Sequence, residues 1–208
     1  MKKLLPPVIL LSFCIIPGAQ VPKYDTAPYK PDQFEVVIPK ATWEPIFFKE
    51  INERAKIANL QTLRSARLPE NDVAIRIWYG FGLTALRGFL LNRAKGEWSA
   101  TYLAGIHPNL STKEFQKTLQ SPKSGWESCW RQLVNSAILR LPDASEIKCH
   151  TAINDGMSYV VEFNRNGIYR TYMYDNPAYA RCPEAKQMIK IGKIISEEFG
   201  VAEMSGPW

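Results

Sequence analysis

Few residues in this chain have the types and spacing that chemistry requires. Asp155 and Glu162 lie close together in a predicted hairpin region. Two carboxylates flanking a glycosidic bond act as acid and nucleophile or base, so this pair defines an envelope-polymer hydrolase reading. The competing reading makes Asp155-Gly156 a turn and Glu162 a strand residue, and it is favoured. A thiol nucleophile, Cys129 activated by His150, is the other catalytic arrangement. It is disfavoured because Cys129 falls on the apolar stripe of a predicted helix.

The two histidines, His107 and His150, lack the spacing of a helical metal site. No metal or cofactor is therefore expected. Gly80-Phe81-Gly82 lacks the Lys-Ser/Thr that completes a phosphate-binding loop, and no G-x-S-x-G elbow is present.

Aromatic and cationic residues are the stronger signal. Tyr159, Tyr169, Arg170, Tyr172 and Tyr174 cluster on two short predicted strands. Tyr and Arg are enriched in binding hot spots because they combine rigid area with directional donors. Trp78, Tyr169, Arg170 and Tyr172 are accordingly the candidate binding residues, for an unknown protein or glycan partner. Strand alternation sends some of these side chains into a core, so packing competes with recognition. Trp126 and Trp130 likewise suggest an aromatic box. They share their stripe with Leu133 and Ala137, which favours packing.

The amino terminus bears on all of this. Lys2 and Lys3 precede an apolar run over residues 8–16, which ends at Pro17-Gly18-Ala19. This is the order of a secretory signal. The run is about nine residues, against the ~20 that span a bilayer as a helix. Residues 1–19 are read as a cleaved signal peptide, so no stable membrane insertion is expected afterwards. Bulky Phe13 before Cys14 argues against lipidation there. A secreted or periplasmic location follows, and with it an oxidising compartment. Cys149 and Cys182 bracket a predicted hairpin and are expected to form a disulfide. Cys129 is left as a buried free thiol.

The net charge is +6, which falls to about +4 when Lys2 and Lys3 are removed. With no run of five cations, nucleic acid is not expected as a partner.

The elements follow from periodicity. Residues 20–41 form a Pro- and Tyr-rich arm with a short strand at 34–38, and 42–208 form a single domain. A helix over 43–58 presents Phe47, Ile51, Ala55 and Ala58. Strands are expected at 73–79, 83–92, 97–104 and near 115–119. In the first, Val73, Ile75, Ile77 and Tyr79 alternate with Arg76 and Trp78. Trp126, Cys129, Trp130, Leu133 and Ala137 mark an amphipathic helix capped by Ser124. Strands at 157–163 and 168–174 turn at Asn166-Gly167. A last helix over 183–199 begins at Pro183 and stops at Gly200. Its core face is Ala185, Met188, Ile191, Ile195 and Phe199.

This order predicts an α+β fold: antiparallel sheet built from consecutive hairpins, with about three helices on one face. Residues 73–138 and 147–199 read as a loose duplication. The leading functional expectation is an exported, non-enzymatic binding or interaction module. A hydrolase and a structural envelope component are the alternatives.

Overall fold

The computed structural model describes residues 33–39, 44–80, 86–105, 115–147, 149, 156–202 and 204. The expected signal peptide at residues 1–19, most of the expected arm, His107, His150 and Asp155 lie outside the described residues.

Among the described residues seven strands form one sheet: β1 (Glu35–Val37), β2 (Val73–Tyr79), β3 (Arg87–Ala94), β4 (Glu97–Ala104), β5 (Gln116–Leu119), β6 (Ser158–Arg165) and β7 (Ile168–Asp175). Three helices of the described residues accompany them: α1 (Glu44–Ile57), α2 (Trp126–Asn135) and α3 (Pro183–Phe199). The fold is α+β, as expected.

Local chemistry explains most boundaries. Lys95 and Gly96 both take positive φ and close the β3–β4 hairpin, as Asn166 and Gly167 close β6–β7. Such a pair matches the twist of the flanking strands. At α3, Cys182 accepts the Ala185 N–H through its sulfur, Pro183 occupies the first turn, and Gly200 ends the helix at φ 61°. At α2 the residue before the helix is Gly125, and Ser124 gives no cap. Its backbone N–H donates to Glu198 instead, which ties α2 to α3. The helix stops at Asn135, and Ala137 has left it with φ 66°.

The sheet corrects the expected topology. Its order is β1-β7-β6-β2-β3-β4-β5. β2 lies between the two hairpins, antiparallel to both β3 and β6, and β1 runs parallel to β7. The sheet is therefore mixed and not a succession of hairpins. Among the described residues the second proposed repeat unit contributes two strands, β6 and β7, against four from the first, so these residues show no counterpart of the suggested duplication.

The helices also do not share one face. α2 and α3 bury Cys129, Leu133, Met188, Ile191 and Ile195 against Val73, Ile75, Ile77, Phe89, Val161, Tyr172 and Tyr174. On the opposite face α1 brings Phe48, Ile51 and Ala58 against Ala74, Trp78, Leu90, Leu103, Val160 and Tyr169. The alternation of β2 sends side chains to both faces of the sheet, and all seven of its residues are buried. Several polar groups of the second face find partners there, Glu162 from Trp78 and Tyr169 and the Asn164 amide nitrogen from the Leu63 and Ala66 carbonyls.

Cys149 and Cys182 are joined as a disulfide with Cα atoms 5.4 Å apart, and Cys129 is free and buried. A loop of this length stabilises by about 3–4 kcal/mol in the chain-entropy picture.

Candidate functional site

Beneath α1, three neighbouring strands place polar side chains on one face of the sheet. Arg76 on β2 stands directly across from Glu162 on β6, and Glu162 stands across from Thr171 on β7. Trp78 and Tyr169 occupy the diagonal positions, within reach of a long side chain on the same face. From there the Trp78 indole N–H donates to one Glu162 oxygen at 2.7 Å. The Tyr169 hydroxyl donates to the other, also at 2.7 Å. Glu162 is only 3% exposed, so these donors replace the water its carboxylate has lost.

Burial raises the Tyr169 pKa, and the charge of Glu162 and the hydrogen bond to it raise it further. Tyr169 therefore remains a protonated donor. Burial lowers the Arg76 pKa from its usual value, while Glu162 and Tyr169 oppose the shift. A guanidinium stays charged through such a shift.

The chain leaving α1 forms the wall over this floor. Asn59 takes φ 54°, and the Leu60 N–H returns to the Ala55 carbonyl at 2.8 Å, the left-handed turn that ends many helices. The segment then crosses the sheet, held by side chains beneath it. Arg76 Nη2 donates to the Gln61 carbonyl at 2.7 Å. Asn164 Nδ2 donates to the carbonyls of Leu63 and Ala66 at 3.0 and 2.9 Å. The Arg64 guanidinium sits 5.0 Å from the centroid of the Phe48 ring.

Between α1, this segment and the sheet is a cavity of about 560 Å³. Phe48, Ile51, Ala55 and Leu63 supply its apolar wall, Arg76 and Glu162 its polar floor. Asn52, Lys56 and Arg64 lie at its exposed edge.

The expected recognition residues lie in the interior. Trp78, Tyr169 and Tyr172 are each 0% exposed and Arg170 is 5% exposed. They also divide between the two faces of the sheet. Trp78 and Tyr169 pack under α1, whereas Tyr172 packs in the α2–α3 core with the Arg170 guanidinium 5.5 Å from its ring centroid. The period-2 alternation of β7 separates Tyr169 from Tyr172, so the four form no common surface. The Tyr172 hydroxyl is engaged by the Ile138 carbonyl at 2.8 Å.

Of the carboxylate pair, Glu162 is in the cavity and Asp155 lies outside the described residues. The Cys129 pKa is pushed up to about 12 by burial and by nearby Glu198, so the thiol is held protonated. Among the described residues, no three His, Cys, Asp or Glu side chains cluster for a metal ion. No helix among them is long and apolar enough to cross a membrane.

Trp126 and Trp130 lie half-buried around Trp98, in ring contacts of 6.3 and 5.4 Å. Phe199 packs on Trp126, so these rings join α2 to the sheet and to α3.

Sequence reasoning passed over Arg76, Asn164 and the 60–64 segment. The available signal was a charge set among apolar neighbours in each of two strands, Arg76 in β2 and Glu162 in β6. Comparison with family models, curated proteins and solved structures finds no match to this chain.

Proposed function

We propose that this chain is an exported binding module whose ligand, a small molecule or one side chain of a larger partner, enters the cavity under α1. The observation that supports this is the cavity itself. It combines an apolar wall with convergent buried polar groups, and its volume lies in the range of small-ligand sites. The disulfide fits a protein that works in an oxidising compartment. A purely structural component has no need of such a void, which costs packing energy. A carboxylate-pair hydrolase needs a second acid beside Glu162, whereas the other ionisable side chains lining the cavity are Lys56, Arg64 and Arg76.

The test fills the cavity. Ala55 faces it from the last turn of α1, so Ala55→Trp occupies the space without breaking the helix. Wild type and variant are screened by saturation-transfer NMR against small acids, amides, amines and sugars. Compounds that bind wild type and not the variant are the expected result, with both proteins folded. Equal binding by the two proteins, or none by either, rejects the proposal.

A further inference from the structure

Arg76 is 9% exposed, and its fork has one protein partner, the Gln61 carbonyl. A guanidinium carries five N–H donors. Its cross-strand neighbour is an acid, yet Arg76 and Glu162 form no ion pair within 4.0 Å. The reason lies in the bonds already described. Both oxygens of Glu162 are turned to Trp78 and Tyr169. The acid thus offsets the charge of Arg76 at a distance without occupying its donors. No carboxylate of the described residues fills the place, and the guanidinium borders the cavity. The donors it leaves open are not sealed from solvent, so a ligand that enters the cavity can reach them.

From this geometry, and resting on the cavity as the binding site, we infer that the ligand is a small organic monocarboxylate whose carboxylate docks on the Arg76 fork and whose apolar part lies along Phe48, Ile51, Ala55 and Leu63.

The fork matches a planar carboxylate in a two-bond geometry. Lys56 and Arg64 at the edge make three cationic side chains against one anionic, which favours entry of an anion. Glu162 then sets the charge of that anion. With one carboxylate already close by, a monoanion is tolerated better than a doubly charged phosphate. A cationic ligand is disfavoured because the Glu162 oxygens are already engaged.

Hexanoate and hexanamide make a matched pair of probes, with the same chain and with or without the charge. Titration of wild type by calorimetry is expected to show hexanoate bound roughly tenfold more tightly, the difference a charge-assisted hydrogen bond makes. Arg76→Gln is expected to erase that preference while leaving hexanamide binding in place. Should Arg76→Gln fail to fold, the wild-type Arg76 side-chain N–H resonance serves instead, and it is expected to shift on adding hexanoate and not on adding hexanamide. Equal affinities for the two probes, an unmoved Arg76 resonance, or a preference that survives Arg76→Gln overturns the inference. So does inorganic phosphate that displaces hexanoate at equal concentration. Hexanamide binding lost in Ala55→Trp, with no preference for hexanoate, leaves the cavity reading standing and rejects the carboxylate alone. Binding of both probes unchanged by Ala55→Trp rejects the cavity reading itself.

Discussion

Over one face of the sheet, α2 and α3 press Leu133, Met188, Ile191 and Ile195 into Ile75, Ile77, Val161 and Tyr172. Three tyrosine hydroxyls there are spent on backbone carbonyls, Tyr172 on Ile138, Tyr174 on Pro142 and Tyr159 on Met204, while Tyr79 donates to the Tyr102 hydroxyl. Over the other face, α1 and the segment after it stand off the strands and leave a cavity. The polar groups there are of another kind. Each oxygen of Glu162 accepts from one neutral side chain, while Arg76 keeps donors open. The contrast separates two tasks within one sheet. The α2–α3 face buries the larger apolar core and carries stability. The α1 face gives up packing and retains a polar floor that a ligand can use.

Truncation on the two faces gives the largest contrast. Leu133→Ala, in the filled core, is expected to cost about 2–5 kcal/mol. Ile51→Ala, whose side chain already borders a void, removes fewer contacts and is expected to cost about 2 kcal/mol. Urea denaturation of both variants measures the difference, and equal losses would mean that the α1 face is packed as tightly as the other.

A smaller effect tests the floor. Glu162→Gln keeps the shape but replaces one acceptor with a donor, leaving either the Trp78 indole or the Tyr169 hydroxyl without its partner. A loss of about 1–3 kcal/mol is expected. The Trp78 indole N–H resonance should move with it. An unchanged stability and resonance would show that the network carries no weight.

The smallest effect concerns acid. Glu198 on α3 joins α2 by accepting from the Ser124 N–H and from Gln132 Nε2, each at 2.8 Å. Partial burial raises its pKa, but these hydrogen bonds and Lys123 outweigh that and hold it below the usual 4.5. Because folding lowers this pKa, the contribution is complete above about pH 4.5 and is lost as pH falls through the lower folded-state value. Glu198→Gln should therefore flatten the acid limb of stability slightly, its small cost showing near pH 7 and fading in acid. A limb identical to wild type would remove Glu198 from the α2–α3 contact.

Local pattern alone was enough for much of the fold. Pro183 and Gly200 delimit α3, Asn166-Gly167 turns β6 into β7, and the spacing of Trp126, Cys129, Trp130 and Leu133 places α2. The disulfide between Cys149 and Cys182 and the free Cys129 were also legible from where the cysteines fall among these elements. Each depends on residues close in the chain, or on a face that one element presents.

The site was not legible in this way, because it depends on pairings between distant strands. Arg76 and Glu162 are neighbours only because β2 inserts between the two hairpins, a register that neither strand encodes by itself. The same alternation that puts Arg76 and Trp78 opposite Ile75 and Ile77 fits a wet face or a covered one equally well. Only α1, folded back over the sheet, decides that this face is buried. For Trp78, Tyr169, Arg170 and Tyr172, residue type suggested a binding surface, while tertiary structure placed all four inside and on two faces. Chemistry and periodicity thus determine which side chains can pair. Long-range strand pairing decides which of them are left with open donors beside a cavity.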